Sequence, residues 1–155
     1  MCNNQIQQIV QWYNEIHSVL LGAPTSSIRK LQRVQNSLAR VVLQQPRMSH
    51  ARPLIEELHW LPVIQRIKFK VAALTYKIRC TSRPAYLHSL LSNRISDSTA
   101  TLRSASRPLL HVPRTWTVYG SRAFSVAAPT LWNSLPADIT NSPSLTVFRN
   151  RLKTF

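Results

Sequence analysis

The acidic residues are too few and too scattered to suggest a hydrolytic or phosphoryl-transfer site. Such a site needs carboxylates that converge on metal ions about 4 Å apart. The chain has five acids among 155 residues, and these are Glu15, Glu56, Glu57, Asp97 and Asp138. Glu56 and Glu57 are neighbours, so on a helix their side chains diverge by about 100°. With no GxSxG string and no glycine-rich phosphate loop either, we predict no catalytic residue and no enzyme activity.

The residues that could bind a metal are equally sparse. The two cysteines, Cys2 and Cys80, form no CxxC pair and have no zinc-site spacing to a histidine. The five histidines are more typical of surface or capping positions than of ligands. We therefore predict no metal, no disulfide and no cofactor.

The charge balance points to a polyanionic partner. Lys and Arg number 20 against five acids, which gives a formal net charge of +15, and every basic residue lies at or after Arg29. Such an excess repels itself in a compact chain, so nucleic acid is the expected partner, and a basic but merely solvated surface is the alternative. No apolar run is long enough to span a membrane. The first residues lack the features of a signal peptide or presequence, which favours the cytoplasm or nucleus.

One helix presents basic and apolar residues on opposite sides. Spacing predicts it over 28–43. Its apolar face is predicted to contain Ile28, Leu31, Val34, Leu38, Val41 and Val42. Its basic residues are Arg29, Lys30, Arg33 and Arg40. Because no acid occurs between Glu15 and Glu56, we expect this side to contact phosphates rather than to form ion pairs.

A second long helix is predicted over 63–79, with Pro62 at its start. It has apolar residues on two sides, which is typical of a helix sandwiched between neighbours. Arg66, Lys70 and Lys77 fill one gap between the two apolar stripes, and we predict that they also contact phosphates.

Among the tryptophans, Trp116 is the candidate for base stacking, because it lies in a basic loop next to Arg114 and Thr115. A place in the core is an equally good interpretation of Trp116. For Trp60 and Trp132, each beside Leu and Pro, the core is favoured.

Eight segments, in their order along the chain, resemble the region after the polymerase core in reverse transcriptases of LINE-type, non-LTR retrotransposons (L2, CR1 and jockey-like). The most specific is Phe124-Ser-Val-Ala-Ala-Pro followed by Trp132-Asn-Ser-Leu-Pro136. The segments are 28–36, 57–63, 66–71, 74–77, 84–87, 112–114, 124–136 and 148–154, within a match over roughly 19–155.

The resemblance implies the thumb and C-terminal tail of such an enzyme, which would help to hold template RNA and target DNA. The chain contains neither the Tyr-x-Asp-Asp string of the polymerase palm nor an endonuclease domain. Residues 1–18 do not match. The resemblance therefore implies a non-catalytic fragment that contributes a basic RNA- and DNA-binding surface. The alternatives are a docking module for a polymerase domain absent from this chain, an inert remnant and, least favoured, a cryptic hydrolase.

The expected fold class is mainly α, as a small irregular helical bundle. Segments 109–112 and 122–126 could pair as a short β-hairpin across Gly120. The expected organisation is an unmatched N-terminal helix over 1–22, a thumb-like basic helical bundle over 23–92, and a loop, the hairpin and a C-terminal helix over 93–155. The last helix begins near Ser142 and Pro143 and places Leu145, Phe148, Leu152 and Phe155 on one face.

Overall fold

A computed structural model describes residues 20–94 and 109–155. The fold class is mainly α-helical, as predicted. The helices are α1 (Thr25–Val42), α2 (Ala51–Glu57), α3 (Val63–Thr81), α4 (Ala85–His88), α5 (Phe124–Ser134), α6 (Ala137–Thr140) and α7 (Leu145–Thr154). The helix predicted within 1–22 and most of the loop predicted at 92–107 lie outside the described residues.

The chain divides into two compact units within α3, one up to Lys68 and one from Phe69. This division differs from the boundary between 92 and 93 that the composition suggested. Helix α3 has apolar positions on two sides, and its buried residues occur in both halves: Val63 and Ile67 before the division, Val71 and Ile78 after it.

In the first unit, the buried side of α1 overlaps the predicted apolar face only in part, since Ile28, Leu31, Leu38 and Val42 are half-buried. Gln35 and Ala39 are buried, whereas Val34 is 49% and Val41 70% exposed. The reason is a set of hydrogen bonds. Gln35 Nε2 donates to the Leu61 carbonyl oxygen at 2.8 Å, and Gln32 Oε1 accepts the Val63 backbone N–H at 3.0 Å. These bonds turn the glutamine side of α1 inward, because a buried amide must be paired.

A small apolar cluster completes this unit. Ala39, Leu54 and Ile55 are buried, and Leu43, Leu58 and Trp60 pack around them. Trp60, predicted in the core, is half-buried and packs against this cluster.

Both helices that feed this cluster end in a left-handed residue that is not glycine. Gln44 follows α1 with φ 50°, and His59 follows α2 with φ 52°. The Gln45 N–H donates to the Arg40 carbonyl and the Trp60 N–H to the Ile55 carbonyl, which is the Schellman arrangement. The chain therefore turns sharply at two places where the sequence shows no glycine.

The second unit is built on an aromatic core. Phe148 stacks on Tyr76 with ring centroids 4.5 Å apart and on Trp132 at 5.9 Å. Leu110, Leu135 and Ile139 are buried around them. The Tyr76 hydroxyl donates to the Ser142 carbonyl oxygen at 2.7 Å, which ties α3 to the turn before α7.

The hairpin expected over 109–126 is wrong. Leu110 instead forms an isolated antiparallel bridge with Asn93, and Phe124 begins helix α5. The Asn133 side chain accepts the Leu110 N–H at 2.9 Å and donates to the Leu110 carbonyl at 2.8 Å, so it pairs with this backbone as a strand would. Residues 124–134 form a helix instead, and this helix buries Val126, Ala128, Pro129 and Trp132.

The final helix follows its prediction in most respects. Ser144 caps α7 by accepting the Val147 N–H, Phe148 is fully buried, and Leu145 and Leu152 pack against the same core. Phe155, predicted on the same face, is instead 72% exposed just after α7 ends.

Candidate nucleic-acid interface

The exposed basic residues of α1 form the clearest candidate interface. Arg29, Lys30 and Arg33, which we call the α1 basic surface, are all exposed. Arg29 and Arg33 are four residues apart, so they lie on the same side of the helix, where like charges repel by a few tenths of a kcal/mol. The first turn of α1 contains no acidic residue. A polyanion would relieve this repulsion.

Ion pairing does little to neutralise this charge. In the described ranges the acids are Glu56, Glu57 and Asp138, and the one ion pair found there is Arg52–Glu56 at 3.2 Å, within α2. That pair is solvent-exposed, so it contributes little to stability. Among the described residues, no acidic side chain therefore forms an ion pair with the α1 basic surface.

Arg40, the fourth basic residue predicted on this helix, has a structural role. Its Nε donates to the Ser49 carbonyl oxygen at 2.9 Å, and its side chain is half-buried. This bond anchors the turn between α1 and α2. Arg40 is thus less accessible to phosphate than the three residues of the α1 basic surface.

The basic residues of α3 do not act as one exposed group. Arg66 is buried, and its guanidinium donates to the Leu61 carbonyl oxygen at 3.3 Å. Lys70 is half-buried, and Lys77 is exposed. Burial and the bond to the Leu61 carbonyl make Arg66 less accessible to phosphate than Lys77. The phosphate contacts of all three residues stay predictions.

Residues 111–122, which we call the aromatic loop, contain the other predicted contacts. Arg114 is exposed, and Trp116 is 96% exposed, which favours the first of its two interpretations over a place in the core. Trp132, by contrast, lies in the core as predicted. The sequence reasoning missed Tyr119, which is 81% exposed, and Arg122, whose guanidinium carbon lies 5.2 Å from the Tyr119 ring centroid. The signal that marks them is the turn around Gly120, beside which Tyr119 is exposed and Arg122 is half-buried.

Arg79 is a further basic residue with an aromatic partner. Its guanidinium carbon lies 4.8 Å from the Trp132 ring centroid. Partial burial lowers the pKa of Arg79 below its usual range, although the nearby Cys80 opposes that shift. Because Trp132 belongs to the aromatic core, Arg79 covers this core rather than a ligand site.

Groupings suited to metal chemistry do not occur in the described part of the chain. No three His, Cys, Asp or Glu side chains there come together as metal ligands. The described helices include none that is long and apolar enough to cross a membrane. Cys80 is an exposed free thiol.

The comparisons with known proteins add no identification. The chain matches no family model, no curated protein and no solved structure. The candidate interface therefore rests on its own geometry and charge.

Proposed function

We propose that this protein is a non-catalytic nucleic-acid-binding module that holds the phosphate backbone against the α1 basic surface. The observation that carries the proposal is the exposure of Arg29, Lys30 and Arg33 on one helix, with no acidic partner among the described residues. Phosphate contacts by Lys and Arg release counterions, so they provide affinity without sequence readout.

The resemblance to LINE-type reverse transcriptases supports a role for this module as part of such an enzyme. In the proposal, the chain corresponds to the thumb and post-polymerase region of such an enzyme and contributes to holding RNA or DNA, in the cytoplasm or nucleus. Trp132-Asn-Ser-Leu-Pro136 supports the assignment, since it is the most specific of the matching strings. The catalytic aspartates of the polymerase are not in this chain.

The test is a binding titration at several salt concentrations. The full chain is titrated into a labelled RNA hairpin and a matched DNA duplex, beside a variant with Arg29, Lys30 and Arg33 changed to Gln. On the duplex, each lost phosphate contact should flatten the log–log salt slope by about 0.9. The variant lacks up to three phosphate contacts, so we expect its slope to flatten by about two to three times this amount and its affinity to fall accordingly.

A variant of equal charge loss serves as the control. Arg83, Arg149 and Lys153 are exposed elsewhere, and their change to Gln removes the same charge from other surfaces. A smaller effect from this control supports an interface on α1. Equal effects from both variants would mean a uniformly solvated basic surface and would contradict the proposal.

A docking module is the second candidate, and the exposed apolar residues of α1 favour it. Val34 and Val41 lie seven residues apart, on the same side of the helix, and both are exposed. A docking face for a polymerase domain should make the isolated chain self-associate. Sedimentation velocity would then show oligomers that a Val34→Ser/Val41→Ser variant lacks. A monomer that binds no nucleic acid would leave an inert remnant.

A further inference from the structure

The aromatic loop exposes large rings that the core does not use. Trp116 and Tyr119 are exposed almost as fully as side chains can be, and Val118 between them is 69% exposed. The other described tryptophans differ, since Trp132 is buried and Trp60 is half-buried. A group of solvent-exposed aromatic and apolar residues in a folded chain is typical of a binding surface.

Hydrogen bonds brace the loop in this conformation. Thr117 Oγ1 accepts the Gly120 N–H at 3.0 Å, the Ser121 N–H donates to the Thr117 carbonyl at 3.1 Å, and Ser121 Oγ donates to the Val118 carbonyl at 2.7 Å. A Cβ at Gly120 would lie 3.0 Å from Thr117 Oγ1 and 3.3 Å from the Thr115 side chain, so the turn closes tightly there. The rings are thus held outside before any ligand arrives, which reduces the entropy lost on binding.

The charge around the rings selects the kind of ligand. Arg114 is exposed on one side of Trp116, and the Arg122 guanidinium lies over the Tyr119 ring within cation–π distance. The sequence has no acidic residue between Asp97 and Asp138. Exposed rings flanked by arginines fit a ligand that is both aromatic and anionic.

We infer that the aromatic loop is a stacking platform for the unpaired bases of single-stranded nucleic acid. Trp116 and Tyr119 contact base faces, and Arg114 and Arg122 attract the phosphates. In a duplex the base faces are already stacked on one another, so the platform selects single strands. The inference rests on the proposed function for its class of ligand, but it uses a different surface from α1.

The test compares strands with and without bases. Labelled oligomers of about ten nucleotides are titrated with the full chain: an unstructured RNA, a DNA of the same sequence, and an abasic DNA with phosphates alone. The proteins are the wild type, Trp116→Ala/Tyr119→Ala, Trp116→Phe/Tyr119→Phe and, as a matched exposed aromatic, Tyr86→Ala.

The wild type should bind both base-bearing strands more tightly than the abasic one. The double alanine variant should lose about 10- to 100-fold on base-bearing strands, the range expected for lost base stacking, and nothing on the abasic strand. The double phenylalanine variant keeps the rings and should retain most of the affinity, while Tyr86→Ala should behave as wild type. A loss confined to RNA or to DNA also supports the platform and identifies its ligand.

Equal wild-type affinity for abasic and base-bearing strands would overturn the inference. An equal loss of affinity for abasic and base-bearing strands in the double alanine variant would overturn it too. So would a finding that the rings are needed to bind neutral phosphatidylcholine vesicles but not to bind the strands. A separate result would contradict the proposed function: equal affinity of the Arg29/Lys30/Arg33 variant and the wild type for the abasic strand. The substituted rings are exposed, and circular dichroism would establish that the variants are folded.

Discussion

The two compact units fill their interiors with different kinds of side chain. Around Phe148 the second unit packs aromatic rings and aliphatic residues, and the buried hydroxyls of Tyr76, Thr75 and Ser142 are paired. In the first unit the buried residues of α1 are an alanine and a glutamine, Ala39 and Gln35, and glutamine hydrogen bonds connect α1 to the start of α3.

This difference explains how each unit determines which of its side chains are exposed. Apolar packing stabilises in proportion to buried area and specifies orientation weakly, whereas a buried amide is stable only when its partners are in place. The glutamines therefore fix the rotation of α1 about its axis, and that rotation points Arg29 and Arg33 at solvent. The second unit gains its stability from buried area, and the rings of its aromatic loop stay exposed.

Among the substitutions that test this comparison, the removal of the Phe148 ring should lower stability the most. The side chain is fully buried between Tyr76 and Trp132, so Phe148→Ala leaves a cavity and should lower the free energy of unfolding by about 3–5 kcal/mol. Urea denaturation followed by circular dichroism measures the loss. Phe155→Ala, at an exposed position after the same helix, should change stability by less than about 0.5 kcal/mol. Similar losses at both sites would mean that the aromatic core is not the source of stability.

The next effect should come from Asn133, which pairs with both backbone groups of Leu110. Asn133→Ala leaves a buried N–H and C=O without these partners, at a cost of about 1–3 kcal/mol for each unsatisfied group. Amide hydrogen exchange should show loss of protection at Leu110. The exposed Asn150→Ala is the control. Unchanged protection at Leu110 would show that the bridge to Asn93 suffices to hold this segment.

The helices α1, α3 and α7 were predictable from the sequence because their apolar spacing is strong, whereas the start of α5 was predicted as a strand. The start of α3 at Val63, after Pro62, follows from proline geometry, and the burial of Phe148 follows from the period of α7. The fold class was predictable because it depends on these local patterns, and many residues contribute to each pattern.

The failures have physical causes of longer range. Val34 and Val41 are more apolar than Gln35, yet they stay exposed while Gln35 and Gln32 pair with the distant Leu61 carbonyl and Val63 N–H. The hairpin prediction is wrong because the hydrogen-bond partner of Leu110 is a side chain, that of Asn133. An alternation of apolar and polar residues does not reveal such a pairing.

The candidate site was predictable in part. Arg29, Lys30 and Arg33 are exposed because they lie opposite the buried side of α1, and periodicity anticipates that. Arg66 is buried because local carbonyls accept its guanidinium, and charge alone gives no sign of it. Tyr119 lies next to a glycine turn whose bracing depends on Thr117.

Gln35→Leu tests whether hydrogen bonding dominates in the first unit. The change adds apolar volume but removes two hydrogen bonds, from Gln35 Nε2 to the Leu61 carbonyl and from Gln32 Nε2 to Gln35 Oε1. The Leu61 carbonyl keeps Arg66 as a donor, so we expect a loss of about 0.5–1.5 kcal/mol for each bond in the free energy of unfolding. Gln65→Leu, at an exposed position of α3, should be nearly neutral. A more stable Gln35→Leu protein would contradict the comparison, since it would mean that this interior is governed by apolar packing as well.

The smallest expected effect concerns Tyr76 and depends on pH. Burial raises the pKa of Tyr76 above its usual value, and the neighbouring Cys80 thiol adds to the shift. The neutral hydroxyl donates to Ser142, so at neutral pH Tyr76→Phe should lose about 0.5–1.5 kcal/mol. Above about pH 10 the unfolded tyrosine ionises first, whereas the folded one keeps its proton.

The stability that Tyr76 contributes is thus fully present below about pH 10 and declines as the pH rises towards the folded pKa. The difference in unfolding free energy between wild type and Tyr76→Phe, measured in urea at about pH 8 and about pH 10.5, should therefore shrink. The paired measurement cancels the titration of the lysines, which both proteins share. A difference that stays constant would mean that Tyr76 ionises equally in both states, and the aromatic core would then be more open to water than its burial implies.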